Sequence, residues 1–417
     1  MNLKKSLNFI LEKKDLVYYI LIKMFDVIIG FYLNWIIVKK LSEYDYGVYN
    51  ILLTILGLLT TFGFSWTSSS LLYYGVEEKI KYGTLNRTFW ARNIILGVAY
   101  TIVTILFLLF HKELDTYITE PLSLYLFVWM TIKIFTDYLI TYFLAIEKRR
   151  ISVLVSISTK SIAIVLISIE IISLKSLLIY CILSELFALV FLYKIDKKDF
   201  GKFIFDDKIF KTVLSFGAWQ ILGFSGMYII NFGDNLIIKH FLNIEDVGIY
   251  NVSYKIFSGM AGFSYLFSSY FAPKVSKAIA SKDKDTLLNI FYRDRFLITL
   301  ILLIPHIIVF LCAQNIIILI FGINYNGAIL PLRILIIESC LKYFSVFNIL
   351  IYNCFKKYSI MQCFNILQAV LNVLFDIIFI PQLGIAGAAL GTVLSFVVST
   401  GIETIYGEIY FKKYIKK

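Results

Sequence analysis

Uninterrupted apolar stretches about as long as a bilayer is thick recur from one end of this chain to the other, and they leave it few folds. A helix needs about 20 residues to cross the hydrocarbon core. Twelve such stretches fall at roughly 16–38, 46–73, 88–110, 121–145, 151–172, 176–195, 212–239, 247–271, 292–313, 328–354, 360–380 and 384–411 of the 417 residues. The connections between them are too short for a sizeable soluble domain. The expected fold is an all-α polytopic membrane protein, and an even number of spans puts both termini on one side.

Charge then assigns that side. A formal net charge of +12 first suggests nucleic acid or a membrane surface as partner, but the positions of the charges decide otherwise. The tails and loops on the side of the termini hold 29 of the 40 Lys and Arg, whereas the opposite loops hold Lys39, Lys40, Lys112, Lys175 and Lys239. By the positive-inside rule both termini are cytoplasmic, in a bacterial inner membrane, and the basic surplus is topogenic. No nucleic-acid partner is expected. The N-terminus is basic and polar before the first span, with no cleavable signal peptide expected. Five scattered Cys show no metal-ligand spacing, and no cofactor is implied. The longest polar stretch, 193–211, divides the chain into an N-terminal six-helix bundle (1–195), a cytoplasmic linker (196–211) and a C-terminal six-helix bundle (212–417).

The two halves are related. NWIIVKKLSEYDYGVYN (34–50) aligns without gaps to NLIIKHFLNIEDVGIYN (235–251), with eight of 17 positions identical. Each copy ends the first span of its half and leads into the second. Its aspartate is placed to cap the next helix, and its glycine to let the backbone turn closely. A looser echo pairs GFSWTSSS (63–70) with GFSYLFSS (262–269). An even number of spans per half makes the repeat parallel, about an axis along the membrane normal. Transporters of that design hold substrate between their halves and rock one against the other.

Twelve spans arranged six and six, with LSEYDYGVYN after the first and LNIEDVGIYN after the seventh, resemble the polysaccharide (O-antigen-type) flippases. These belong to the multidrug/oligosaccharidyl-lipid/polysaccharide exporter superfamily. PQLGIAGAALGTVLSFVVS (381–399) resembles the end of that family's pattern. The resemblance implies two pseudo-symmetric six-helix bundles around a central cavity lined by spans one, two, seven and eight. The implied substrate is an undecaprenyl-pyrophosphate-linked oligosaccharide, flipped to the periplasmic leaflet by alternating access for O-antigen, lipopolysaccharide or other surface polysaccharide assembly. Implied partners are membrane lipids, H+ or Na+, and other polysaccharide-assembly membrane proteins.

Ionisable groups at bilayer depth are expensive and mark function by default. A pyrophosphate crossing the membrane needs cations, which Lys and Arg supply. Lys23 and Lys255 lie on spans that the resemblance places at the cavity, and Arg333 offers a bidentate grip; these three are the expected substrate contacts. Lys133 and Asp137, four apart on one helical face, read as an internal ion pair. Asp26 and Asp234 are the candidates for a coupling ion or proton. Asn34, Asn235, Trp66 and Tyr265 are candidate sugar contacts. Gly384, Gly387, Gly391 and Ser395 space small residues for close helix packing.

Three rivals follow from the same residues. A multidrug or cation antiporter of the superfamily would favour acidic cavity residues, whereas these spans offer Lys as well as Asp. A membrane glycan polymerase or ligase would need catalytic groups on a sizeable outer loop; the longest here, HKELDTYITE (111–120), has no converging acid–base set, so no enzymatic activity is expected. A purely structural bundle would have little use for intramembrane charges.

Overall fold

The structure, a computed structural model, describes residues 22, 24–146, 148–169, 173–195, 202–355 and 357–416. Among them every regular element is helical. Long helical segments occupy the places of the expected spans: α1 (24–40), α2 (Glu43–Gly63), α3 (Asn86–Ile118), α4 (Ser123–Ala145), α5 (Arg149–Ile169), α6 (Leu174–Ile195), α7 (Asp207–Phe241), α8 (Ile244–Gly262, continued by Ser264–Ala280), α9 (Arg295–Ile320), α10 (Ile329–Cys354), α11 (Tyr358–Leu383) and α12 (Ile385–Lys416). Nine helices among the described residues are long and apolar enough to cross a membrane, by length and composition. On α9, Ile301, Ile304, Ile308 and Leu311 form an exposed apolar stripe at helical spacing. Such a stripe is stable against lipid, where backbone groups must be satisfied within the helix and side chains have no need to be polar.

The chain forms two compact units. One comprises Met1–Leu41 with Leu58–Gln220; the other comprises Ser42–Gly57 with Ile221–Lys417. Helices α2 and α7 therefore each contribute to both.

The internal repeat explains why the start of α2 belongs to the second unit. Ser42 Oγ accepts from the Asp45 amide at 3.1 Å and donates to Asp45 Oδ2 at 2.8 Å, while Asn243 Oδ1 accepts from the Asp246 amide at 2.9 Å. The caps are thus Ser42 and Asn243, three residues before the aspartates, which sit in the first turn where a negative charge complements the helix dipole. The glycines lie at a helix crossing rather than a turn. A Cβ on Gly47 would stand 2.0 Å from Ile244 O, and one on Gly248 would stand 2.4 Å from Glu43 O. The two copies of the motif touch backbone to backbone, and only glycine permits that approach. Replacing either cap, in Ser42→Ala or Asn243→Ala, is expected to cost about 1 kcal/mol, read as a lower midpoint of thermal unfolding in detergent; an unchanged midpoint would remove the caps from the account.

The looser echo also has a shared consequence. At 63–70 and 262–269 a helix ends after a glycine, at Gly63 and Gly262, and the chain continues through a break. Gly387 and Gly391 seat α12 on α11, since a Cβ at Gly387 would meet Phe379 O at 2.3 Å.

Candidate functional site

The second unit buries two carboxylates beside each other. Asp234 on α7 and Asp376 on α11 are 3% and 0% exposed, and their carboxyl groups interact directly. Helical spacing supplies the rest of the site. Asn372 lies one turn before Asp376 on α11, Tyr250 comes from α8, and Thr392 comes from α12. The Tyr250 hydroxyl donates to Asp234 Oδ2. Thr392 Oγ1 lies 2.9 Å from the same oxygen and 3.0 Å from Ala388 O, so its single proton serves one of them. Asn372 Nδ2 approaches Thr392 Oγ1 at 3.5 Å. Asp376 fits because residue 391 is glycine: a Cβ there would stand 2.3 Å from Asp376 Oδ1.

Four oxygens in this cluster lack a hydrogen-bond donor among the described residues: Asp234 Oδ1, both carboxylate oxygens of Asp376, and Asn372 Oδ1. Buried acceptors without donors are costly, and two adjacent buried carboxylates are costlier still unless a positive charge joins them. The donor set is hard oxygen throughout, the chemistry that suits an alkali cation or a proton rather than a soft metal. No group of three or more His, Cys, Asp or Glu that could hold a metal gathers among the described residues, here or elsewhere. The first copy of the repeat has Leu33 where the second has Asp234, so the acid belongs to one copy alone.

Directly beside this cluster runs a satisfied polar layer. Asn251 Nδ2 donates to Asn235 Oδ1 at 2.7 Å, and Asn235 Nδ2 donates to Thr54 Oγ1 at 2.9 Å. The Tyr228 hydroxyl donates to Thr54 O at 3.0 Å. Both polar atoms of Asn235 are therefore engaged in joining α2, α7 and α8.

The remaining sequence-selected residues are dispersed. Lys23 lies outside the described residues. Asp26 is buried and pairs with Lys160 at 2.7 Å, with Ser156 Oγ donating to it at 2.8 Å. Asn34 is half-buried on α1. Trp66 is buried, its indole N–H donating to Gly63 O at 3.2 Å, and its ring would lie 2.5 Å from a Cβ at Gly217. Tyr265 is 55% exposed and lines a cavity in the second unit. Arg333 Nε donates to Phe310 O at 3.3 Å. Lys133 pairs with Asp137 at 3.4 Å and reaches Glu185 on α6 at 3.8 Å. Lys255, half-buried on α8, makes no ion pair or side-chain hydrogen bond among the described residues.

Sequence reasoning missed Asn372 and Thr392 as partners of Asp234. A polar pair four apart in an apolar span, Asn372 and Asp376, was the available signal. Arg92 and Arg295, near the starts of the expected spans 88–110 and 292–313, are both buried in helices. Arg92 reaches Thr67 Oγ1 at 3.2 Å and Ser68 Oγ at 3.0 Å; Arg295 binds Asn348 Oδ1 at 2.9 Å and lies 3.5 Å from Glu408.

Comparison with known proteins places the chain in a family. The family described as "Polysaccharide biosynthesis protein" matches residues 13–272. An uncharacterised membrane protein of Methanocaldococcus jannaschii is 25% identical over 52% of this chain and 44% of its own length. A probable low-salt glycan biosynthesis flippase of Haloferax volcanii is 26% identical over 47% of this chain and 42% of its own. The chain thus matches less than half the length of these curated relatives. Among solved structures, a lipid II flippase in an inward closed conformation superposes with a TM-score of 0.71 at 16% identity, covering 96% of this chain and 90% of that one. A MOP superfamily transporter from Pyrococcus furiosus gives 0.67 at 17% identity, covering 96% of each chain, and a MATE transporter in complex with MaL6 gives 0.67 at 16%, covering 96% and 97%. At these identities the likeness establishes the fold: the two-lobed, twelve-helix transporter architecture.

Proposed function

Because the chain belongs to the polysaccharide biosynthesis protein family, we propose that it is a flippase for a lipid-linked oligosaccharide. The glycan would be carried on an anionic polyprenyl pyrophosphate such as undecaprenyl pyrophosphate. Transport would run from the cytoplasmic to the outer leaflet by alternating access, for assembly of a surface polysaccharide. The observation that carries the anionic substrate is Lys255. The other intramembrane cations described are held: Lys160 by Asp26, Lys133 by Asp137, Lys342 by Glu338 at 2.8 Å, Arg333 by a carbonyl. An ammonium at bilayer depth without a counter-charge is expensive, and a passing phosphate offsets that cost. A cationic drug would meet repulsion at the same place, which disfavours the multidrug reading. The distribution of Lys and Arg supports a cytoplasmic-membrane location with both termini inside. The buried Asp234–Asp376 pair supports coupling to Na+ or H+.

The reading is tested by deleting the gene in its host, measuring surface glycan and the lipid-linked pool, and complementing with Lys255→Ala and Lys255→Arg. The deletion should trap lipid-linked oligosaccharide on the cytoplasmic leaflet. A lost charge-assisted phosphate contact removes roughly 1.5–3 kcal/mol, so Lys255→Ala should lower export about tenfold or more at normal protein levels. Lys255→Arg should restore much of it. Normal surface glycan with altered drug sensitivity in the deletion strain would overturn the flippase in favour of a drug exporter.

A further inference from the structure

The Asp234–Asp376 site is sealed, so a cation needs a way in. A cavity of about 310 Å³ lies within the second unit, with Asn231, Asn365, Gln368, Thr400, Glu403 and Lys342 among its polar lining. Its position relative to the acids is fixed by helical register. Asn231 stands three residues before Asp234 on α7, and Gln368 four before Asn372 on α11. On the helices running the opposite way, Lys342 stands on α10 four after Glu338, a third buried acid near enough to Asp234 to interact with it, and the lining residue Phe396 four after Thr392 on α12. Four helices of alternating direction thus each step from the acidic layer to the cavity by one turn, about 5.4 Å. All four steps point toward the end of the unit that holds the α10–α11 connection and the C-terminus.

We infer that this cavity is a water-filled vestibule through which the coupling cation reaches Asp234 and Asp376 from the side of the membrane that holds the chain termini. The inference rests on the reading of those two acids as the coupling site. Three carboxamides, four hydroxyl side chains and a carboxylate lining a space of this size inside an apolar bundle are stable when hydrated. The partition between vestibule and site is thin and itself polar. The Tyr254 hydroxyl donates to Asn231 Oδ1 at 3.2 Å, and the Tyr254 ring lies 6.0 Å from that of Tyr250, whose hydroxyl holds Asp234. Lys342 is drawn aside by fully buried Glu338 and rests 4.7 Å over the Phe257 ring. The tyrosine and the ion pair are the side chains that must move for a cation to pass.

The test places a cysteine in the vestibule, Thr400→Cys or, as a second position, Gln368→Cys, in protein whose five native cysteines are replaced. Vesicles of known sidedness are treated with the membrane-impermeant cationic thiosulfonate MTSET, and exchange of 22Na+ or of protons is followed before and after. Both cysteines should react from the face of the termini alone, and modification should slow cation exchange at least tenfold while equilibrium affinity stays unchanged. Reaction from the opposite face, absence of reaction at both positions, or unaltered exchange after modification would overturn the vestibule while leaving the coupling site in place. If the unmodified protein binds neither Na+ nor protons, the site and its vestibule fall together.

Discussion

Gly248→Val should leave little folded protein in the membrane. The position lies where the N-terminal turns of α2 and α8 cross, and its Cβ would stand 2.4 Å from Glu43 O and 3.0 Å from Gly47 N. Favourable contact between heavy atoms begins at about 3.5–4.0 Å, so the helices must separate. The opposing atoms are backbone, and no flexible side chain can swing away to absorb the added volume. Overpacking of a rigid contact costs typically 1–3 kcal/mol and sometimes more; a branched side chain here should reach the upper end. Separation would also disturb the neighbouring layer in which Asn235, Asn251 and Thr54 are bonded. Gly259→Ala is the internal control, because it lies on the same helix and nothing is within 4 Å of its Cβ; there alanine should be neutral or gain about 0.5–1 kcal/mol of helix stability. Membrane yield and thermal unfolding in detergent measure both. Equal midpoints for Gly248→Val and the parent protein would show that the crossing is looser than described.

That crossing marks the limit of what the sequence discloses. Span positions, all-helical class and the repeat are legible because hydrophobic length and identity at a fixed offset are properties of the chain itself. The meaning of Asp-x-Gly-x-Tyr-Asn is less so. Read alone, each copy looks like a capped turn, and only contact between residues 201 apart reveals why its glycine is required. The same holds for Asp234. Its cost at bilayer depth singles it out, but Asp376 and Thr392 become its neighbours through helix packing that no periodicity encodes. Asp26 is a further case. Its partner Lys160 comes from α5, 134 residues along the chain, through packing that no local spacing discloses. Arg92 and Arg295 fell within the first turns of apolar segments, where a charge reads equally well as loop or helix.

Asp376→Asn should abolish cation dependence and lower export at least tenfold without unfolding the protein. Asp376 is fully buried, has no donor among the described residues on either oxygen and faces a second carboxylate. A residue retained for stability would not be placed so; removing its charge relieves a cost that bound cation otherwise offsets. The sign of the stability effect therefore separates the two roles. In a cation-poor buffer Asp376→Asn should melt at or above the parent's temperature, whereas a structural acid would lower it. Cation binding to the folded protein alone stabilises by RT ln(1 + [L]/Kd), about 2.7 kcal/mol at a hundredfold excess over Kd. The parent should show that gain when NaCl replaces choline chloride, or when pH is lowered if the ion is a proton, and Asp376→Asn should show neither. Asp234→Asn should behave alike, since it removes the other carboxylate of the same buried pair. Tyr250→Phe keeps both acids and should retain cation binding with a shifted affinity, because it removes one donor from Asp234 Oδ2. Full complementation of the deletion strain by Asp376→Asn, or an unchanged response to Na+ and pH, would separate transport from this pair of carboxylates and leave Lys255 to be explained without coupling.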